Sequence, residues 1–147
     1  MDMLNLRYIA KFGLLCLAMP VCAVECYFTA SKSNCWLDYD VDVVLTDTQT
    51  MQIVETIHIA KGELYNRVHF SCHPKQIFAV YSQFSPVLWE SDKDKKYRAV
   101  RFWAMPLLEP QEGAIWSIEI CYPNQFTDVP LPKTDQTSCS CDFSSIE

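Results

Sequence analysis

Glycine is scarce in this chain: there are three in 147 residues. The glycine-rich loops that cradle phosphate and the Gly-x-Ser-x-Gly elbow that presents a nucleophilic serine are both missing. No His-Glu-x-x-His helix and no Cys-x-x-Cys redox pair occurs either, and the histidines are three: His58, His69 and His73. No stretch reaches the roughly 20 apolar residues that a spanning helix needs. Positive charge is also short, with 12 Lys plus Arg against 18 Asp plus Glu. Nucleic acid and anionic membrane surfaces want basic patches, so the balance argues against both. These absences leave no catalytic motif and no cofactor-binding motif, and the expectation is a non-enzymatic protein.

The chain opens MDMLNLRYIAKFGLLCLAMPVCAVEC. Arg7 and Lys11 precede an apolar run from Phe12 to Val21, and Val21-Cys22-Ala23 presents small residues for a signal peptidase. Cleavage after Ala23 is expected. Lipid modification is not, because Leu15, Val21 and Glu25 precede the three cysteines of this region where a small residue is required. Removal of residues 1–23 leaves 124 residues and a net charge of −7, enough chain for one domain with a core. Six cysteines remain: Cys26, Cys35, Cys72, Cys121, Cys139 and Cys141. An even count in an exported chain reads as disulfides, so a periplasmic or secreted protein is expected.

The clearest pattern lies in Cys35 to Leu45, CWLDYDVDVVL. From Leu37 the apolar residues Leu37, Tyr39, Val41, Val43 and Leu45 alternate with Asp38, Asp40 and Asp42, the period of a half-buried strand. Further strands are predicted at Cys26–Ala30, Met51–Ile59 (with Met51, Ile53, Ile57 and Ile59 inward), Leu64–Cys72 (with Leu64, Val68, Phe70 and Cys72 inward), Gln76–Phe84, Tyr97–Ala104 and Ala114–Tyr122. Ser91–Lys96 is a charged loop tip. Residues 124–147 lose periodicity and read as an extended tail. No helical periodicity follows the leader. About seven strands in residues 24–123 predict an all-β, single-domain antiparallel sandwich.

Topology suggests the pairs Cys26–Cys35, across a turn, and Cys72–Cys121, at two strand ends. Cys139-Ser-Cys141 leaves three readings open: bridging back to the domain, bonding a second molecule, or holding a soft metal, copper or zinc. The aspartate row reads as a solvated strand face, since the glycine and closing Glu of a calcium loop are missing. In Tyr97–Ala104, Tyr97, Arg101 and Trp103 share one side and Val100 and Phe102 the other. The outward face therefore carries either a Tyr-Arg-Trp set, the residue types of interface hot spots, or an arginine with two apolar groups. The first is the expected partner-binding set. The competing reading places Tyr97 and Trp103 in the core with Arg101 at the edge.

The elements CYFT, NCW, the Phe-Ser-Cys strand end, FSPVLWESDK and ICYP span Cys26 to Pro123. They resemble a group of short exported proteins of Legionella- and Coxiella-type bacteria. Some small periplasmic proteins of such bacteria join the outer-membrane core of the Dot/Icm type IVB secretion machine. The resemblance implies an envelope protein with a structural or binding role and carries over no catalytic residue. Protein partners in the envelope or outside the cell are expected, with a metal-handling protein using Cys139 and Cys141 as the runner-up.

Overall fold

Strict alternation makes Asp40–Asp47 a strand, and in the computed structural model Val41, Val43 and Leu45 are wholly buried while Asp40 and Asp42 turn outward. The structure describes residues 24–108, 111, 113–144 and 146; the expected leader peptide lies outside these. Eight strands run in chain order: β1 Val24–Lys32, β2 Asp40–Asp47, β3 Ile53–Ile59, β4 Tyr65–Cys72, β5 Ile77–Ser85, β6 Tyr97–Arg98, β7 Trp103–Ala104 and β8 Ile115–Tyr122. They form two sheets, one ordered β4-β1-β8 and the other β3-β2-β5-β6, with β7 also on β5. The fold is an all-β sandwich, as the strand pattern predicts. It is not wholly antiparallel: β1 runs antiparallel to β4 but parallel to β8.

Reading the registers together places the chain at two ends. One end holds the β1–β2 corner, the β3–β4 turn and the finish of β8. The opposite end holds the start of β1, the β2–β3 turn, the β4–β5 turn and the segment after β7. The first end is sealed by aromatics. A 3-10 turn, Asn34–Trp36, carries Trp36 between the sheets, where its ring lies 4.7 Å from Phe84, 4.9 Å from Tyr122 and 5.0 Å from Tyr39. Edge-to-face packing of this kind adds roughly 0.5–1.5 kcal/mol per pair to the area each ring buries.

Beside Trp36, Lys32 is buried. Its ammonium donates to the carbonyls of Tyr39 and Ala60, at 2.5 and 2.8 Å, tying the β1–β2 corner to the β3–β4 turn. Burial pulls its pKa below the usual lysine value, against the opposing pull of Asp40, Glu63 and Asp38. At the far end, Asp47 organises the β2–β3 turn. One carboxylate oxygen accepts the amides of Gln49 and Thr50, at 2.8 and 3.1 Å, and the other accepts the Gln76 side chain at 2.7 Å. The Gln76 bond, aided by the Thr50 and Gln49 amides and opposed by burial, holds the carboxyl below its ordinary range.

Several expectations need correction. The strand expected from Leu37 starts at Asp40, because the chain first makes the 3-10 turn, and Leu37 is partly exposed. Ile53 and Met51 face outward, since a register shift at Leu45/Thr46 breaks the alternation. Leu64 precedes β4 and is exposed. The cysteine pairs also differ: Cys26 bonds Cys72, Cys35 bonds Cys139 and Cys121 bonds Cys141. Cys26–Cys35 fails because β1 is nine residues long, not five. At about 3.3 Å per residue, the six steps from Cys26 to Lys32 already span about 20 Å. Cys72–Cys121 fails because β4 and β8 flank β1 in opposite senses, so their last residues sit at opposite ends. Cys26 and Cys72 lie diagonally across β1 and β4, with Cα atoms 6.0 Å apart.

The tail is bound back onto the sandwich. Cys139 and Cys141 alternate along an extended segment, one reaching Cys35 in the 3-10 turn and the other Cys121 on β8. Asn34 reinforces this: its amide donates to Ser140 at 3.2 Å, and its side chain accepts from the Ser140 amide at 3.1 Å.

Peptide mapping of the unreduced protein is expected to recover these three pairs. On the chain-entropy model, rings of about 105, 47 and 21 residues contribute roughly 4.7, 4 and 3 kcal/mol. Paired Cys→Ala changes followed by urea denaturation should therefore rank Cys35–Cys139 as the costliest loss; a larger loss at Cys121–Cys141 would contradict the assignment. Asp47 adds a pH prediction. Its folded carboxyl is depressed, so its contribution is complete above the unfolded value of about 4 and fades as pH falls through the folded value. Asp47→Asn is expected to cost roughly 2 kcal/mol near pH 7 and to flatten the acid limb of the stability–pH curve.

Candidate interaction surface at the β6–β7 edge

β5 is flanked on its outer side by two short strands. Tyr81 and Ser82 pair with Arg98 and Tyr97, and Ile77 and Phe78 pair with Ala104 and Trp103. Between those pairings β5 has two residues, Ala79 and Val80, while the edge chain has four, residues 99–102. The surplus must leave the sheet, as in a β-bulge. The Ala99 amide still reaches the Val80 carbonyl at 2.8 Å; Val100 then turns its amide to Gln125, at 2.9 Å. The Thr127 amide donates to Arg98 at 2.9 Å. The segment at residues 125–127 thus covers part of this edge, and the bulge spoils the rest for strand pairing.

The bulge sorts the side chains. Tyr97, Ala99 and Trp103 are buried, while Val100 and Phe102 are 60% and 51% exposed. Arg101 lies over the Trp103 ring at 4.8 Å and Arg98 over Phe102 at 4.7 Å. Of the expected set Tyr97, Arg101 and Trp103, the structure brings Arg101 and Trp103 together but turns Tyr97 and Trp103 into the core. Tyr97 stacks on Phe84 at 5.7 Å. Burial, with Asp92 nearby, pushes its phenol pKa upward. The outward set is the alternative one, Arg98 with the apolar groups Val100 and Phe102, and Arg101 adds a second guanidinium to it. Alternation places Arg98 with Val100 and Phe102; what it misses is Arg101, which is exposed although it shares the parity of buried Tyr97 and Trp103, because the surplus residues leave the sheet there.

The surface therefore offers two guanidinium groups, each already placed over a ring, around two exposed apolar side chains. Arginine stacked on an aromatic loses less freedom when it meets a carboxylate or another ring. Such a patch can bind an acidic or aromatic protein segment. It contains no nucleophile with a neighbouring base.

The remaining sequence candidates lie elsewhere. Asp40 and Asp42 occupy the outer face of β2, in the other part of this sheet, and Asp38 lies in the turn just before it. His58 Nδ1 lies 2.7 Å from Asp42 Oδ1, Asp40 accepts the Lys61 amide at 2.8 Å, and Lys61 Nζ is 3.8 Å from Asp38. This is a partnered, solvated face. Among the described residues no group of three or more His, Cys, Asp or Glu is placed to hold a metal ion. The metal reading of Cys139 and Cys141 is corrected by the disulfides, which engage both sulfurs with different partners. Cys26, Cys35, Cys72 and Cys121 are disulfide-bonded as expected, though not to one another as expected. A cleft of about 400 Å³ opens between Ser85–Val87 and the charged loop, with Tyr97 in its lining. Two charges of that loop face each other, Lys95 and Asp92, at 3.8 Å.

The two sides of the bulge should respond differently to substitution. Trp103→Ala is expected to destabilise by roughly 3–5 kcal/mol, whereas Phe102→Ser should stay within about 0.5 kcal/mol. Urea denaturation of the two variants checks this, and equal losses would mean that Phe102 belongs to the core.

Compared with known proteins, the chain matches no family model, no curated protein and no solved structure.

Proposed function

We propose that this chain is a non-enzymatic, exported module that works through protein contacts in the bacterial envelope. The observation that carries this reading is the exposed Val100–Phe102 pair between Arg98 and Arg101. Arginine and aromatics are enriched at interface hot spots, and a bulged edge presents them without inviting indiscriminate strand addition. Three disulfides in so short a chain suit an oxidising compartment. Among the described residues no helix is long and apolar enough to cross a membrane. Periplasmic or secreted localisation is the setting that fits these features best. The resemblance to small Legionella- and Coxiella-type exported proteins extends the proposal to an accessory part of a secretion complex.

The surface's composition narrows the partner. The protein is acidic overall, with net charge −6, so two neighbouring arginines form a local exception that favours a partner segment carrying carboxylates and a ring or aliphatic group. Binding there would desolvate both guanidinium groups while the rings beneath them stay in place.

A photo-crosslinking residue placed at position 102 in living cells is expected to give a discrete adduct with an envelope protein. Arg101→Glu should weaken the same complex by more than 2 kcal/mol, roughly 30-fold, with stability and disulfides unchanged. Failure to form any adduct at position 102, alongside efficient adducts at a control site on the opposite sheet, would move the interface elsewhere.

A further inference from the structure

The end of the sandwich opposite Trp36 is unusually apolar for a set of loops. Met51 is 74% exposed, Ile53 64%, Leu107 73% and Leu108 80%, with Ile115 at 59% beside the start of β1. Hydrogen bonds fasten together the connections that carry Met51, Ile53, Leu107 and Leu108. The Gln76 side chain reaches Asp47 at 2.7 Å, the Thr48 amide reaches Ile77 at 2.9 Å, the Lys75 amide reaches Pro106 at 3.0 Å and the Met105 amide reaches Gln76 at 2.8 Å. The tips thus stand on one braced platform. Met51 is held with φ at +58°, a left-handed conformation that a methionine seldom takes. Asp47 maintains it by accepting the Met51 amide on its carbonyl, at 2.9 Å, and the Gln49 and Thr50 amides on its carboxylate.

We propose that this end docks onto a lipid bilayer, its aliphatic tips entering the interfacial layer. Composition favours lipid over protein: Met, Ile and Leu supply the exposed area, whereas protein hot spots favour Trp, Tyr and Arg and are poor in Leu. The exposure agrees, because Met51, Leu107 and Leu108 stand more than two-thirds exposed on two separate tips, which a soft surface accommodates. The chain outside the described residues points the same way. Residues 1–23 contain the apolar run Phe12–Val21 behind Arg7 and Lys11, and they join the domain at Val24, which opens β1 at this very end, opposite Cys72. Before the expected cleavage after Ala23, a leader engaged by the membrane during export would hold this end of the domain toward the bilayer. Charge sets the lipid class. Asp47 in this platform is buried and bonded, and Lys75 is exposed, but the chain as a whole is acidic, so a zwitterionic surface is the better match. The proposal is independent of the β6–β7 edge.

The test is flotation of residues 24–147, which contain every described strand and all three disulfides, with phosphatidylcholine vesicles. The wild type should float, and the Leu107→Ser/Leu108→Ser variant should do so about fivefold less, since interfacial binding scales with buried apolar area. Phe102→Ser, on the other patch, should float as the wild type does. Circular dichroism and urea midpoints confirm that each variant is folded. Three results would overturn the proposal: a wild type that stays at the bottom of the gradient, flotation unchanged in the double variant, or a wild-type dimer in light scattering that the double variant abolishes without any vesicle binding. The last would assign this apolar end to a second copy of the chain.

Discussion

The corner where the chain leaves β1 and enters β2 governs this molecule. Trp36 fills the gap between the sheets there, and Lys32 fastens the corner to the β3–β4 turn through two carbonyls. A buried ammonium is costly unless hydrogen-bonded, so its carbonyl partners must stay in place. That requirement fixes the relation of the two sheets. The tail depends on the same corner, since Cys35 and Asn34 hold Cys139 and Ser140. The β6–β7 edge is reached through Phe84, which contacts both Trp36 and Tyr97.

Legibility in the sequence follows the range of the forces involved. β2 could be read because its alternation is local: Val41, Val43 and Leu45 need only the pleat to reach the core. β1 runs beyond its apolar signal because its second half, Thr29, Ser31 and Lys32, is polar yet buried. What satisfies Lys32 lies 7 and 28 residues away, beyond any periodic signal. Ile53 and Leu64 depart from the pattern for a related reason: a register shift moves the first off the inward face, and the second lies in the turn before β4. The disulfides required knowing that β1 and β8 are parallel, which reverses the end at which Cys121 lies relative to Cys72.

The candidate surface was half visible. The segment Tyr97–Ala104 announces itself by its arginines and rings, and alternation correctly divides Tyr97 and Trp103 from Val100 and Phe102. Which half faces water depends on the partner strand, and β5 has two residues where the edge has four. The molecule consequently presents two unlike surfaces. The edge is aromatic and basic, with its arginines pre-stacked; the end of the sandwich is aliphatic and braced by Asp47. On the two readings proposed, one surface would rest on a membrane and the other would meet a protein partner sideways.

The parallel pairing of β1 with β8 has a consequence for biogenesis. Those strands are the first and last of the sandwich, so the three-stranded sheet stays incomplete until Tyr122 has emerged, and the tail clasps wait for Cys139 and Cys141. Contacts this distant in sequence form slowly. A chain threaded N-terminus first through an export channel therefore cannot close its fold behind itself. If the chain is exported as proposed, it would reach the oxidising side still open, and the final strand and the last two bonds would complete it there together.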